Sequence, residues 1–226
     1  MGSSPRYVGM VFVPAGEFVM GADDSFSFEK PEHLEYTKGF YIDVYEVTNG
    51  QYKIFLNATG YEPPGHWKNG KFNPGDEKKP VTNINYYDAL AYSKWAGKRL
   101  PTEEEWEKAA RGDKGILFPW GNEWKNNAAN VRPFIGFGGL KKVGSFQDGT
   151  SPCGCMDIAG NVWEWTSSWF EAYPGNRDSN RNYGTKYKVI RGGSFKSTRS
   201  MSRTFSREIF DPALSDVDIG FRCVKD

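Results

Sequence analysis

The second half of the chain carries no sustained helical or strand period, because glycine, proline and asparagine recur after Gly112. The chain holds 26 glycines and 13 prolines in 226 residues, and 16% of its residues are aromatic. Glycine and proline interrupt helices and strands, whereas large aromatic rings anchor irregular segments by packing. We therefore expect many loops and short elements held by aromatic residues, and not a helical bundle.

Regular elements are nevertheless predicted, and helices come first. Three capping boxes predict helices in the first half, each with an N-cap residue followed three positions later by a side chain that can bond back. These pairs are Thr48 with Gln51, Asn85 with Asp88, and Thr102 with Glu105. Gly97 is a natural end for the second helix.

Short alternating runs predict strands. The predicted segments are two strands within 10–20, an extended segment at 40–47, and strands at 142–146, 163–168, 188–192 and 220–224. The acidic segment 22–38 is expected to be a surface loop. Helices early and short strands later indicate an irregular α+β fold with little regular secondary structure, which we expect to form one domain over residues 1–226.

Charge and hydropathy exclude several classes of protein. The 29 basic and 28 acidic residues leave a net charge of +1, so no broad field attracts nucleic acid or an anionic membrane. No stretch approaches the roughly 20 apolar residues that a membrane helix needs. We expect a soluble protein with no nucleic-acid partner and no membrane insertion.

The three cysteines are Cys153, Cys155 and Cys223. An odd number cannot form a fully paired disulfide framework. Cys153 and Cys155 are too close in sequence to bridge each other comfortably, although either could pair with Cys223 if the fold brings them together. The other interpretation is three buried free thiols that act as small apolar side chains.

Seven ordered segments together resemble one protein family. They are 13–21, 45–49, 97–111, 118–122, 157–165 (Asp-Ile-Ala-Gly-Asn-Val-Trp-Glu-Trp), 191–194 (Arg-Gly-Gly-Ser) and 220–222 (Gly-Phe-Arg). In this order they resemble the sulfatase-modifying factor family, the relatives of formylglycine-generating enzyme. The resemblance implies an irregular fold with a C-type lectin-like core.

One position pair departs from the catalytic members of that family. Their two copper(I)-binding cysteines lie five positions apart after the Arg-Gly-Gly-Ser segment, where this chain has Ser197 and Ser202. A hydroxyl does not replace a thiolate as a ligand of a soft metal. We therefore expect no copper, and formylglycine generation ranks last among the possible functions.

The resemblance also implies a structural Ca²⁺ site. Its ligands would be the side chains of Asn161 and Glu164 and the backbone carbonyls of Ala159, Gly160 and Val162. The alternative is that Asn161 caps a turn and Glu164 pairs with an arginine. A second family site at Asn130–Val131 is expected to be lost, because residues 132–142 contain no acidic residue.

The remaining candidate site is the cleft where the copper pair would lie. Its side chains would be Ser194, Ser197 and Ser202 around Trp165, with Arg199 and Arg203 as ligands for an anion. Serine catalysis is disfavoured, because the only histidines are His33 and His66 and neither belongs to a recognisable triad. Arginines of this region could instead hold loops, and we favour that role for Arg191 and Arg222.

Two functions remain open. The first is a non-catalytic, calcium-stabilised binding or accessory module for a protein partner or small ligand, in a compartment that we place outside the cytoplasm. The second is an enzyme of different mechanism, an oxidase or modifying enzyme acting on a peptide or a peptide-derived metabolite. A diversified ligand receptor is disfavoured, because residues 196–218 contain no Asn, Tyr or Trp.

Overall fold

The computed structural model describes residues 7–133 and 138–226. Its strands and helices follow in the order β1 (Met10–Val13), β2 (Gly16–Met20), β3 (His33–Thr37), β4 (Phe40–Asp43), α1 (Asn49–Thr59), α2 (Tyr86–Trp95), α3 (Glu103–Arg111), β5 (Trp163–Phe170), β6 (Gly184–Arg191), β7 (Arg207–Phe210), β8 (Ile219–Gly220) and β9 (Val224–Lys225). Short 3-10 helices cover Ser27–Glu29, Gln147–Gly149 and Arg199–Ser202. The predicted α+β class with little regular structure is confirmed.

Capping boxes begin all three α-helices at the predicted residues. Thr48, Asn85 and Thr102 each accept hydrogen bonds from the first turn, and the side chain three positions later accepts from the N-cap N–H. The capping side chains satisfy N–H groups that have no partner inside the helix. The predicted end of α2 is wrong by one residue, because Ala96 and not Gly97 is its C-cap.

The strands form three small sheets. Their orders are β1-β4-β9, β2-β3 and β7-β6-β5-β8. Neighbouring strands are antiparallel except β5 and β8, which run parallel. The register of β5 and β6 places Glu164 opposite Arg191, so charged residues from two family motifs lie side by side at the centre of the largest sheet.

Two apolar clusters hold these elements together. The larger packs α1 and α2 against the four-stranded sheet through rings such as Tyr52, Tyr92 and Trp165, all buried. The second surrounds Trp106 of α3 and includes Cys155. Many of the aromatic residues therefore pack between short helices and strands and form these two cores.

Three predicted segments are wrong: 22–38, 142–146 and 220–224, the last of which is divided between β8 and β9 with residues 221–223 in neither. The expected surface loop 22–38 contains β3, which pairs with β2 along its whole length. The expected strand 142–146 is a turn instead, held by the Gly144 N–H, which donates to the Asp157 carboxylate. Strand β3 alternates half-buried and exposed residues with charges among them, so it lacks the apolar run that marks a buried strand.

Candidate functional site

The Arg-Gly-Gly-Ser segment leaves β6 through two glycines with positive φ, 95° at Gly192 and 76° at Gly193. A Cβ at Gly193 would lie 2.9 Å from Ser202 Oγ and from the Met201 carbonyl oxygen. Only glycine allows both the left-handed backbone and this close approach. The turn thereby brings residues 194–202 back over the end of the sheet.

The serines at the two family positions are buried and bonded to their own segment. Ser197 Oγ accepts a hydrogen bond from the Ser194 N–H at 2.9 Å. Ser202 Oγ donates to the Thr198 carbonyl at 3.4 Å. Ser197 is 5% exposed and Ser202 is 1% exposed, so both hydroxyls act here as internal polar contacts.

Ser194 has a carboxylate partner that sequence reasoning missed. Its Oγ lies 2.6 Å from Asp218 Oδ2, and Lys196 Nζ lies 2.8 Å from Asp218 Oδ1. Asp218 directly precedes β8, which brings it beside the serine segment. An aspartate paired with lysine is a weak base, so this contact does not build an activated nucleophile.

Neither histidine is hydrogen-bonded to Ser194, Ser197 or Ser202 in the part of the chain that the structure describes. His33 is on β3, where Nδ1 is 2.9 Å from the Pro31 carbonyl, and the His66 ring packs edge-on against Trp67. The arrangement supports no histidine-based serine chemistry.

The other predicted cleft residues do not converge. Trp165 is fully buried and its Nε1 donates to the Ile84 carbonyl at 3.3 Å. The Arg199 guanidinium stacks on Trp124 at 5.0 Å. Arg203 instead forms an ion pair with Glu29, with 3.2 Å between the nitrogen and the carboxylate oxygen. Trp165, Arg199 and Arg203 are therefore not brought together as one ligand-binding surface.

An open cavity does lie next to the serine segment, beside Phe195. Its volume is about 370 Å³, and Asn49 and Trp67 line it together with His66. Asn49 Oδ1 and Trp67 Nε1 are buried and have no hydrogen-bond partner. Burial lowers the pKa of His66, which keeps its ring neutral. Two residues that line this cavity thus carry polar atoms without a protein partner, and both atoms are shielded from solvent.

The side chains of the predicted calcium motif are bound to other protein groups. Glu164 accepts from Arg222 through both oxygens, at 2.7 and 2.8 Å, and from Trp106 Nε1 at 2.8 Å. Asn161 donates to Glu46 Oε1 at 2.9 Å and accepts from Asn130 Nδ2 at 2.9 Å. The pairing of Glu164 with an arginine is the alternative that the sequence left open.

Two further carboxylates meet at this motif, and neither was predicted. Glu46 and Asp157 are 1% and 5% exposed, and Glu46 Oε2 and Asp157 Oδ1 have no hydrogen-bond partner. Burial raises the pKa of Glu46 well above its ordinary value, and the negative charge of Asp157 raises it further. Burial also raises the pKa of Asp157 to about 6. Glu46 is also among the residues that line a cavity of about 430 Å³.

These oxygens suit a hard cation. Ca²⁺ binds carboxylate, amide and backbone carbonyl oxygens, and two buried acids with unpartnered oxygens call for a positive charge. Across residues 7–133 and 138–226, no three His, Cys, Asp or Glu side chains form a group that could hold a metal ion. Backbone carbonyls of residues 159–162 would therefore have to complete the coordination.

Asn130, at the second family calcium position, forms hydrogen bonds that link it to Gly139 and Asn161. Its Nδ2 donates to the Gly139 carbonyl at 3.0 Å and to Asn161 Oδ1. Part of the segment that follows it, residues 134–137, lies outside the described residues. The expectation that this calcium site is lost stays a prediction.

The three cysteines are free, so no pairing with Cys223 is present. Cys223 lies in the larger apolar cluster and Cys155 in the second. Among the residues that the structure describes, no helix is long and apolar enough to cross a membrane.

Comparison with known proteins links the site to one family. A family model described as "Sulfatase-modifying factor enzyme 1-like domain" matches residues 2–226. Formylglycine-generating enzyme of Thermomonospora curvata is 32% identical, with 99% of this chain and 96% of that protein covered. Serine/threonine-protein kinase Pkn1 of Chlamydia trachomatis is 33% identical over 98% of this chain, which spans only 39% of the kinase. The structure of PvdO from Pseudomonas aeruginosa superposes with a TM-score of 0.76 at 27% identity, covering 96% of this chain and 94% of PvdO.

Proposed function

Since this chain belongs to the sulfatase-modifying factor family, we propose that it is a member without copper-dependent oxidase chemistry, serving as a calcium-stabilised binding or accessory module for a protein partner or small ligand. The observation that carries this proposal is the state of Ser197 and Ser202. Their hydroxyls are buried and bonded within residues 194–202, at the positions where catalytic relatives hold copper(I) with thiolates. Hard hydroxyl groups do not fit a soft monovalent metal, so we derive no copper step.

The calcium part of the proposal rests on Glu46 and Asp157. Their unpartnered buried oxygens fit a hard divalent cation, which would add positive charge to a pocket where Arg222 is shared among Glu164, Glu46 and Asp157. Asn161 fixes the Glu46 carboxylate and Gly144 fixes that of Asp157, so both acids are already oriented. We place the module outside the cytoplasm, because calcium sites of extracellular modules work at about 0.1–1 mM.

The binding part rests on the cavity beside Phe195. Asn49 and Trp67 line it and each carry one buried polar atom without a partner, an acceptor and a donor, while Phe72 and Phe195 add apolar surface. Such a lining favours a ligand with an amide or similar polar group on an apolar frame, as in a peptide segment. The chain thus has a binding cavity beside the altered serine segment.

Calorimetric titration of calcium into chelator-treated protein tests the first part. We expect one site in the unaltered chain, loss of at least about tenfold in affinity for Glu46→Gln, and no change for Glu123→Gln, which removes the same charge from an exposed position. Absence of calcium binding at about 10 mM would remove calcium from the proposal.

An oxygen-dependent assay with a Cys-x-Pro-x-Arg peptide and copper(I) tests the second part. We expect no aldehyde from the unaltered chain, with the Thermomonospora enzyme as positive control. The double variant S197C/S202C should gain copper(I) binding, whereas S200C/S215C, at exposed positions, should not form that site. Aldehyde formation by the unaltered chain would overturn the proposal.

A second candidate function is an enzyme of different mechanism acting on a peptide or peptide-derived metabolite. The observation that favours it is the extent of the match to an enzyme, 96% of the Thermomonospora protein. Turnover would then occur in the cavity beside Phe195, and an Asn49→Leu variant should abolish it. Binding of a ligand without its chemical change would support the accessory module instead.

A further inference from the structure

Two thiols face each other in a part of the fold that the proposed function does not use. Cys153 Sγ and Cys155 Sγ are 3.6 Å apart, within sulfur hydrogen-bond distance. The residue between them is Gly154, with φ +98°, a backbone conformation that other residues rarely adopt. Side chains two positions apart on an extended chain lie on the same side but farther from each other, so the turn at Gly154 brings the two sulfurs into contact.

The two cysteines differ in access. Cys153 is partly exposed and lines a cavity of about 510 Å³, whereas Cys155 is 0% exposed. Cys223, the third thiol, is also 0% exposed and lies in the other apolar cluster. A reagent from solution can therefore reach Cys153 directly and the other two only after the protein opens.

Neighbouring groups activate the accessible sulfur. The hydrogen bond from Cys155 lowers the pKa of Cys153 to about 6, and Ser151 and the charge of Arg222 act in the same direction against burial. In its thiol form Cys153 can instead donate to the Ala109 carbonyl at 3.0 Å. The accessible Cys153 sulfur is thus the nucleophile of the pair, and the buried Cys155 sulfur lies next to it.

The cavity beside Cys153 fits a small molecule. Its volume lies within the range of small-molecule sites, and apolar walls from Phe12 and Pro152 stand beside charged Lys108 and Asp113. Lys108 Nζ is fixed by three acceptors, the Pro14 and Gly16 carbonyls and Thr37 Oγ1, so its charge is held in place. Charges of both signs around an apolar floor suit a zwitterionic thiol compound of the size of glutathione.

We propose that Cys153 and Cys155 form a thiol–disulfide exchange site that reduces low-molecular-weight disulfides entering this cavity. The Cys153 thiolate attacks one sulfur of the disulfide, the disulfide bond breaks, and one thiolate leaves. Cys155 then attacks Cys153 Sγ, a Cys153–Cys155 disulfide forms, and the second thiol leaves with the proton of Cys155. The chain loses two electrons, the external disulfide gains two, and a dithiol or thiol reductant returns the chain to its reduced form.

Neither Cys153 nor Cys155 is a proposed calcium ligand or lines the cavity beside Phe195. The exchange site gives the three cysteines different roles, and these roles predict different results for three single variants.

The experiment uses the native full chain with dithiobis-nitrobenzoate, an aromatic disulfide whose released thiolate is coloured. The unaltered chain and the Cys223→Ala control should each release two thiolates rapidly and end lower in mass by two hydrogens. Cys155→Ala should release one and retain a mixed disulfide. Cys153→Ala should react at least about tenfold more slowly, because its remaining thiols are buried.

A second measurement avoids variants altogether, in case one of them fails to fold. Peptide mapping of the unaltered chain after exposure to oxidised glutathione should find a peptide with the Cys153–Cys155 disulfide and a free Cys223. A stable glutathione adduct on Cys153 without that disulfide would overturn the proposal, as would equal reactivity of all three thiols or persistence of two rapid releases in Cys155→Ala.

Discussion

Replacing Asp157 by asparagine should stabilise the calcium-free protein near neutral pH. Asp157 is 5% exposed and one of its oxygens has no partner, so its ionised form is poorly accommodated. Asparagine keeps an acceptor for the Gly144 N–H and tolerates the positive φ of 56° at this position. The substitution therefore removes a charge while it keeps the local geometry.

The magnitude follows from the pKa of Asp157. Burial raises it from 3.8 to about 6, and at about 1.4 kcal/mol for each tenfold change this difference corresponds to about 3 kcal/mol. Because the folded-state pKa is the higher one, the folded protein holds more protons than the unfolded chain between these values. The stability that this proton contributes is present below about pH 4 and is lost as the pH rises through about 6.

Urea denaturation in the presence of a calcium chelator measures the effect. We expect Asp157→Asn to exceed the unaltered chain by up to about 3 kcal/mol at about pH 7.5 and to match it at about pH 4. Asp148→Asn, which removes the same charge from an exposed position, should change stability by less than about 0.5 kcal/mol at both pH values. A destabilised Asp157→Asn at neutral pH without calcium would refute the reasoning.

Three further predictions concern other parts of the molecule. Arg222→Met should lower the free energy of unfolding by about 3–5 kcal/mol in urea titrations, because it leaves the carboxylate of Glu164 buried without its partner. The side chain of Arg99 is 36% exposed, so Arg99→Met should lower it by less than about 1 kcal/mol. Equal losses in the two variants would contradict this ranking. The rate of thiol modification at Cys153, followed by stopped flow, should rise to half its plateau at about pH 6, and a midpoint above about pH 8 would exclude activation by its neighbours. Thr102→Ala should cost about 1 kcal/mol in thermal unfolding by loss of the capping box of α3, while an unchanged melting temperature would show that packing alone holds this helix end.

Local signals in the sequence predicted the helices well. The capping residue and its partner lie three positions apart, so Thr48, Asn85 and Thr102 could be found without knowing the rest of the fold. Strand β3 was missed because its pairing with β2, and not its own composition, makes it a strand. Short amphipathic strands of this kind depend on tertiary context.

The candidate sites depended on contacts that no local pattern shows. Glu46 reaches Asn161 across 115 positions of sequence, and Glu164 reaches Arg222 across 58. The motifs around Glu46 and Asp157 were recognised, but a motif does not say which of its oxygens lacks a partner. The spacing predicts that Cys153 and Cys155 do not bridge each other comfortably, and both are free. What spacing alone does not show is that the turn at Gly154 brings their sulfurs to 3.6 Å.

Strand β4 receives its second neighbour from the far side of the sequence. Its Asp43 N–H donates to the Cys223 carbonyl at 2.9 Å, and β9 pairs with Tyr41 and Ile42. During synthesis, residues 219–225 must therefore leave the ribosome before the sheet β1-β4-β9 is complete and before Glu164 can pair with Arg222. Until then the nascent chain exposes an open sheet edge and an unneutralised interior acid, which is a state that molecular chaperones recognise.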